Sequence, residues 1–574
     1  MFARSSLRSP WPLSLCAASL LTASAPAQTP IVPSLAVPQI ETPAAPVVPN
    51  SSGTPSVGTP LSDILAPATI VSGDCNAGDG CSQKPAQSKY RYQKFFWPIG
   101  YPGIAPTGPG YYSAADCVHG VCRETPPKGG YPRFFANPTG FFDNDFSYVD
   151  DPKYTPTWDE RLHRIHLDDD WMFGTGGEYR IRYNDENNSR LSGKANPYTL
   201  SRLRLFGELW YRDQLRIYGE FISANSSHQN LPPALTDRDY ADILNLFVDV
   251  KTLTVLDEPV YVRAGRQQLL LGSQRIISPS DWANSMRTFD GVRAYRRSEK
   301  FDVDAFWLRP VVPNATAMDN WDVHTQFAGI YTQYRPDANR FLDVYWLYLD
   351  TTGSPLQQRS YGVGPLQANA PYYVHTLGYR YGLKTKSNWL FESETMYQMG
   401  EGKAGKLQAG NTSSGVGYNF KNVSGNPTIW AYYDYATGSD RVGGPNTYNQ
   451  LFPLGHYYLG WIDYVGRANI QDVNFHLYLY PTKWITFNAQ YHIFDLANAR
   501  DALYSTGGAV LRSDPTGRSG TNVGQETDFI VNWHVTRHTD IVTAYSRFYA
   551  GDFVQRTGSS NNTDTFWFIY NVRW

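Results

Sequence analysis

Arginines recur at alternate positions along three early segments of this 574-residue chain. They alternate with tyrosine, leucine and isoleucine in Glu178–Tyr183, Ser201–Arg212 and Gln214–Ser223. A guanidinium presents a planar fork of donors that can form two parallel hydrogen bonds with a carboxylate, phosphate or sulfate. With later arginines of the same polar parity, the predicted anion-binding set is Arg180, Arg182, Arg202, Arg204, Arg216, Arg263, Arg293 and Arg380.

Two interpretations of these arginines are open. Along a channel, a row of guanidiniums would offer an anionic solute several weak sites in series, so that it passes without being trapped. Glutamates share the same faces, at Glu178, Glu208 and Glu220. Opposite charges on neighbouring strands stabilise a sheet without any solute. Arg266 has the opposite parity and would face a channel only if a bulge intervened.

The alternation itself predicts β-strands. About eighteen short segments of this kind, separated by clusters of Gly, Asn, Asp and Pro, fill the chain from Trp171 to Trp574. The last, Thr565–Trp574, places a mainly aromatic row on one face: Phe566, Phe568, Tyr570, Val572 and Trp574. Such a final strand predicts the closing strand of an antiparallel outer-membrane β-barrel.

Length and composition favour the same fold class, all-β. Roughly 404 residues over about eighteen strands leave about 22 for each strand and its connection, enough for a tilted span of about 10 residues. Aromatic residues make up 15% of the chain and charged residues 18%, which suits a barrel with aromatic girdles. A mean hydropathy of -0.43 excludes a helical membrane protein. A net charge of -2 gives no electrostatic case for nucleic acid.

The connections are predicted to alternate between short periplasmic turns and long extracellular loops. Three of the longer polar gaps are residues 187–198, 435–455 and 496–524. The sequence predicts that all three gaps are extracellular loops.

Three segments precede the predicted barrel, which covers residues 171–574. Residues 1–27 predict a signal peptide, with a basic start, a short apolar core and Ala25-Pro26-Ala27 as the cleavage site. Residues 28–72 are rich in Pro and Ala and lack apolar periodicity, which indicates a disordered linker. Residues 73–170 form an irregular, cysteine-containing extension. The chain is therefore expected to be exported.

The extension contains four cysteines, Cys75, Cys81, Cys117 and Cys122. An even number in an oxidising compartment predicts two disulfides, with three possible connectivities. A metal or haem site is the alternative, but the C-x-x-C-H motif is absent and the spacings around His119 are loose for zinc. We expect no metal and no cofactor.

Catalysis is not expected either. The histidines of lumen parity, His476, His492 and His534, lie on separate predicted strands. Neither G-x-S-x-G nor H-E-x-x-H occurs in the chain. Dispersed histidines are more often polar wall residues than parts of a catalytic site.

Three stretches resemble a known family: residues 201–211 (SRLRLFGELWY), residues 262–284 (VRAGRQQLLLGSQRIISPSDWAN) with 287–293 (RTFDGVR), and residues 454–467 (LGHYYLGWIDYVGR). Together they are similar to the alginate export porin family of bacterial outer membranes. The resemblance covers Trp171 to Trp574 and leaves out the N-terminal extension.

The resemblance implies a monomeric barrel of about eighteen strands in the outer membrane of a Gram-negative-type bacterium. It implies an arginine-lined lumen that passes an anionic polysaccharide such as alginate. Within the family-like loop, five residues would form either a constriction or a packed loop that seals the barrel: Asp281, Trp282, Asn284, Arg287 and Asp290.

Expected partners are the lipid bilayer, an anionic polysaccharide or small anions, and periplasmic export components or the cell wall. A general or nutrient-uptake porin is one alternative function. A non-conducting structural or cell-wall-tethering protein is another. The sequence leaves open which solute passes, in which direction, and whether residues 28–170 plug the pore.

Overall fold

Eighteen antiparallel strands close into one barrel, as the sequence predicts. The computed structural model describes Arg91 and residues 113–120, 140–353, 370–403 and 405–574. The barrel strands are β1 Trp171–Glu186, β2 Asn196–Tyr211, β3 Leu215–Ser227, β4 Asp239–Val255, β5 Glu258–Gln267, β6 Phe289–Arg296, β7 Phe301–Val312, β8 Thr325–Asp337, β9 Arg340–Thr351, β10 Tyr372–Lys384, β11 Trp389–Gly402, β12 Gly405–Asn419, β13 Thr428–Ala436, β14 Ile470–Thr482, β15 Ile485–Leu496, β16 Asn522–His534, β17 Thr539–Ala550 and β18 Thr563–Arg573.

Each strand pairs with its neighbours along the chain, and β18 pairs with β1 to close the ring. At this seam Arg180 lies opposite Asn571. Beyond the last strand, the Trp574 amide donates to the Gly177 carbonyl at 3.1 Å, and the Gly177 amide donates to the Trp574 carbonyl at 2.9 Å. A closed ring leaves no unpaired strand edge. The final segment is therefore the closing strand.

The two faces of each strand differ in chemistry. On β18 the exposed side chains are Phe566, Phe568 and Tyr570, whereas Trp567 and Ile569 are buried inside the barrel. The same outward row of apolar side chains continues around the barrel, including Leu205, Ile217, Val248, Val292, Trp307, Ile330, Trp346, Leu377, Phe391, Phe475 and Phe529. An apolar belt on the outer face is the surface that meets lipid in such barrels.

Few helices and short strands accompany the barrel. The helices are α1 Ala114–Val118 and α2 Asp552–Thr557, with 3-10 turns at Phe141–Asp143, Ser147–Asp150, Glu160–His163 and Ser189–Leu191. The short strands are Ile165–His166, Asn320–Trp321, Ala502–Tyr504 and Val510–Ser513. Within the described ranges, none of the helices has the length and apolar character to cross a membrane.

One end of the barrel, the turn end, has short connections such as residues 212–214 and 256–257. The opposite end, the loop end, has most of the long ones. Two of these, residues 268–288 and 437–469, fold into the lumen, and we call them together the partition. The Phe452 amide donates to the Ile276 carbonyl at 3.0 Å, and Ile277 forms a parallel bridge with Phe452.

The prediction that residues 435–455 form an extracellular loop is therefore wrong for residues 447–455, all of which are buried. Tyr448, Leu451 and Phe452 are buried in the apolar core of the partition. The apolar content of this loop stabilises it inside the barrel, where the side chains avoid water.

The end of the N-terminal extension enters the barrel from the turn end. Phe141 and Phe142 pack against the lumen-facing Phe206, Tyr218 and Phe247. We call residues 140–164 the inner segment. The part of the extension nearest the barrel thus helps to fill the lumen, a point that the sequence leaves open.

Most of the other N-terminal predictions stay untested. Residues 1–72 and Cys75, Cys81 and Cys122 lie outside the described residues. Cys117 is described, and its thiol is free within that part of the chain. The signal peptide and the two disulfides remain predictions.

Candidate channel interior

Three of the predicted arginines hold the partition in place. Arg202 donates to Glu178 at 2.6 Å and to the Asp281 carboxylate at 2.7 Å. Arg180 donates to the Asp281 carbonyl at 2.8 Å, and Arg182 donates to the Trp282 carbonyl at 2.7 Å. Burial acts to raise the pKa of Asp281, but Arg202 and Arg180 outweigh it and hold that pKa below its ordinary value. Asp281 is thus an ionised anchor of the loop.

Three others hold the inner segment. Arg216 donates to the Phe142 carbonyl at 2.9 Å. The guanidinium of Arg204 lies 4.3 Å from the Phe141 ring, and that of Arg263 lies 4.8 Å from the Phe142 ring. Cation–π contacts of desolvated guanidiniums stabilise such packing. The phenylalanines therefore dock on a basic part of the barrel wall.

Besides Arg202, five of the eight predicted arginines form ion pairs with carboxylates of the barrel wall. The closest ion pairs are Arg204–Glu220 at 2.6 Å, Arg216–Glu208 at 2.6 Å, Arg263–Asp249 at 2.7 Å, Arg293–Asp304 at 2.6 Å and Arg380–Glu392 at 2.8 Å. Parity places all eight predicted arginines inside the barrel, and every one is buried. In this state they form ion pairs within the wall or hold the segments that fill the lumen.

The predicted loop residues are packed, with one exception. The Asn284 amide donates to the Ser201 carbonyl at 3.0 Å, and Arg287 donates to the Phe452 carbonyl at 2.7 Å. Asp290 does not belong to the loop, which corrects the prediction. It lies in β6 opposite Arg266, and the two side chains form a salt bridge of 3.0 Å. Asp290 lies outside the partition because the pairing of β6 with β5 already begins at Phe289.

Sequence reasoning missed further arginines because they lie outside the regular strands. Arg275, within the partition, contacts Glu392 at 3.1 Å and Glu394 at 3.0 Å. Arg467 contacts Asp434 at 2.7 Å. Both arginines lie within the family-like stretches of the sequence. Strand parity does not predict where the side chain of a loop residue points.

A cavity of about 410 Å³ lies between the partition and the wall, towards the loop end. Its charged lining residues are Arg182, Arg190, Arg287, Glu186, Asp237 and Asp463. The three arginines donate to backbone carbonyls, those of Trp282, Pro232 and Phe452 respectively. A carbonyl satisfies a donor without cancelling its charge. The cavity therefore presents separate cationic and anionic groups.

His456 and Trp282 also line this cavity. Their rings stack at 3.6 Å, and the guanidinium of Arg182 lies 4.0 Å from the Trp282 ring. Burial lowers the pKa of His456 although Asp463 opposes the effect, so the ring is neutral near pH 7. Its Nδ1 lies 3.0 Å from the Asp463 carboxylate, which must accept. Nδ1 thus carries the proton, which leaves Nε2 as an acceptor.

Two of the three lumen histidines are neighbours, because the rings of His476 and His492 lie 5.7 Å apart. His476 contacts Asn474 at 2.8 Å, His492 contacts Asp472 at 2.8 Å, and His534 contacts Asp540. Each histidine is held by a carboxylate or amide of the wall. This is the geometry of polar wall residues.

The docking of the inner segment is expected to weaken as the pH falls. Burial, with a smaller contribution from His538, lowers the pKa of His163 to about 4, below the unfolded value of 6.5. A buried neutral histidine stabilises docking above pH 6.5, and this contribution is lost as the pH falls towards 4. The shift corresponds to roughly 3 kcal/mol. Protease cleavage within residues 140–164 should accelerate between pH 7.5 and pH 5.

The control is His163→Phe, which keeps an aromatic ring against Phe146, stacked at 3.9 Å. Asp159 contacts His538 at 2.6 Å across the same interface and adds a pH response of its own. The contribution of His163 is therefore the difference in acid-induced acceleration of cleavage between wild type and His163→Phe. Equal acceleration in both would contradict the prediction.

One family model matches most of the barrel. The family model described as alginate export matches residues 172–568. No curated protein matches this chain. Similar solved structures include OpdQ of Pseudomonas aeruginosa (12% identity, TM-score 0.48), OccAB2 of Acinetobacter baumannii (13%, 0.48) and OccK8 (OprE) of Pseudomonas aeruginosa (12%, 0.47). Each alignment covers 70% of this chain, and 97%, 98% and 98% of those chains respectively.

Proposed function

Since this chain belongs to the alginate export family, it is an outer-membrane channel, and we propose that its solutes are anionic saccharides. A polyuronate such as alginate is the probe that tests this. Passage is passive. Arginines guide the solute, and the partition must move to let it through. Catalysis is not part of the proposal.

The cavity at the loop end is the observation that carries this proposal. A uronate unit has one carboxylate and several hydroxyl groups. The carboxylate suits Arg182, Arg190 or Arg287, while hydroxyl groups can donate to Asp463. A simple inorganic anion would use only the arginines. The mixed lining thus supports a charged saccharide over a small anion.

The filled lumen supports gated passage. An eighteen-stranded barrel without internal segments would enclose an aqueous channel. Here the partition and the inner segment occupy that space. The arginines that bind them, such as Arg202 and Arg216, become free for a solute only when those segments move.

Planar-bilayer recording of the full mature chain separates the three candidate functions. An anion-selective current that polyuronate blocks, and that a neutral glucan of equal length does not, supports the proposal. A current indifferent to polyuronate favours a general or nutrient-uptake porin. Absence of current at every voltage, from a barrel that is folded and inserted, favours a structural or tethering protein.

Arg190→Gln is expected to weaken polyuronate block by roughly fivefold, because it removes one charge-assisted contact from the cavity. Arg190 is exposed and donates to the Pro232 carbonyl at 3.0 Å. The matched control is Arg441→Gln, an exposed arginine paired with Asp440. If polyuronate blocks wild type and Arg190→Gln equally, the solute does not pass through this cavity.

A further inference from the structure

The barrel wall is incomplete where the partition leaves it. Pairing between β4 and β5 begins at Leu246 and Arg266, so that residues 239–245 of β4 extend past the end of β5. The connection between β7 and β8, residues 313–324, crosses to this free stretch. The Tyr240 amide donates to the Asn314 carbonyl at 3.0 Å. We call this connection the bridging loop.

Three carboxylates meet where the bridging loop touches β4. One oxygen from each of Asp239, Asp242 and Asp319 lies within 4.8 Å of the other two. Asp239 and Asp242 are only 3% and 2% exposed. The Asp242 carboxylate accepts from the Ile243 amide at 2.5 Å and from the Asp319 amide. The cluster is therefore built from both sides of the contact.

One carboxylate oxygen of Asp239 is left without a partner in the cluster. This atom, Oδ1, is buried and has no hydrogen-bond partner among the described residues. A buried carboxylate oxygen without a partner costs free energy unless a cation or a proton compensates it. This oxygen belongs to the carboxylate that lies against those of Asp242 and Asp319. Oxygens of the three carboxylates are close enough together to contact one cation.

The neighbouring arginine does not neutralise the cluster. Arg266 contacts Asp290 through Nε at 3.0 Å and Nη2 at 3.2 Å. Its other contacts are the backbone carbonyls of Ile243 and Asp319, at 3.2 and 3.1 Å. One guanidinium thus faces four carboxylates, those of the cluster and of Asp290.

We propose that Asp239, Asp242 and Asp319 bind a divalent cation, and that this cation fastens the bridging loop to β4. A set of carboxylate oxygens without nitrogen or sulfur suits Ca²⁺, which tolerates irregular geometry and takes further ligands from carbonyls and water. Sites in extracellular modules bind Ca²⁺ with dissociation constants of roughly 10⁻⁴ to 10⁻³ M. The ion closes the gap that the inward partition leaves in the wall.

Calorimetric titration of the folded, detergent-solubilised full chain with Ca²⁺ tests the proposal. We expect one saturable site in wild type, a higher melting temperature in Ca²⁺ than in EDTA, and at least tenfold weaker binding in Asp239→Asn. Asp440→Asn, which removes an exposed carboxylate from a different loop, is the matched control and should bind as wild type does.

Absence of saturable binding in wild type up to about 10 mM, well above the expected range, would overturn the proposal. Wild-type affinity in Asp239→Asn would do the same. If Asp239→Asn does not fold, Asp319→Asn replaces it, since that residue lies in a loop outside the barrel ladder. Wild-type Ca²⁺ affinity in Asp319→Asn would likewise overturn the proposal. Bilayer current is a separate readout, so this outcome and that of the channel proposal are distinguishable.

Discussion

Replacement of residues 273–285 by a short Gly-Ser linker is expected to raise the single-channel conductance by roughly an order of magnitude, because it removes the part of the partition that crosses the lumen. This segment carries Arg275, which contacts β11 through Glu392 and Glu394, and Asp281, which contacts β1 and β2. It is thus tied to distant sides of the barrel. Single-channel recording in planar bilayers gives the measurement.

Loss of the segment also removes support from the second half of the partition. The Leu454 amide donates to the Gln274 carbonyl at 2.9 Å, and the Tyr458 hydroxyl donates to the Ser273 carbonyl at 2.6 Å. Without these partners residues 437–469 lose part of their anchoring inside the lumen. The inner segment stays in place, with Phe141 and Phe142 against β2 to β4 and Asp159 against His538 in the turn between β16 and β17. The larger current is therefore expected through the space that the partition leaves.

The matched control is a linker of the same kind in place of residues 514–519, which lie on an outer part of the loop between β15 and β16. That change should leave the conductance as in wild type. Both variants must show the gel mobility shift on heating that a folded barrel gives. A folded variant that lacks residues 273–285 and still conducts as wild type does would refute the gating role of the partition.

The strands could be predicted from the sequence because a barrel strand has a strict period of two. Arg180 and Arg202 alternate with apolar residues, and their side chains point into the lumen as that period requires. Even the exception was predictable. Arg266 has outward parity and pairs on the outside with Asp290.

The interior could not be predicted in the same way. Period-two alternation fixes on which side of the sheet a residue lies, but it carries no information about a loop that returns to the lumen. The prediction of an extracellular loop at residues 435–455 rests on their polar residues, although the run that contains Leu451, Phe452 and Leu454 is too apolar for an exposed loop. The partners of Arg202 and Arg216 come from residues 281 and 142, far away in sequence.

These internal contacts relate the two interpretations of the arginines. In the filled state Arg202 is a structural residue, because its donors go to Glu178 and Asp281. Glu178 belongs to the wall, whereas Asp281 belongs to a loop. Movement of the loop would remove one carboxylate partner and leave the other. An arginine of this kind can release a loop carboxylate and bind a solute carboxylate in its place.

Glu178→Gln is expected to lower the free energy of unfolding by about 3–5 kcal/mol, the typical cost of removing one partner from a buried ion pair. The fully buried Glu178 contacts Arg202 at 2.6 Å, Arg204 at 3.8 Å and Arg573 at 3.0 Å. These residues lie on β2 and β18, the two neighbours of β1. Loss of the single carboxylate leaves mutually repelling guanidiniums at the closing seam.

Equilibrium urea unfolding in lipid vesicles measures this loss as a lower midpoint concentration. Arg212→Gln is the matched control, because its pair with Asp170 is solvent-exposed at the turn end and such pairs contribute little. The double variant Glu178→Gln/Arg202→Gln should recover part of the stability, since it removes one of the uncompensated charges. A midpoint for Glu178→Gln equal to that of wild type would mean that strand pairing and Trp574 alone hold the seam closed.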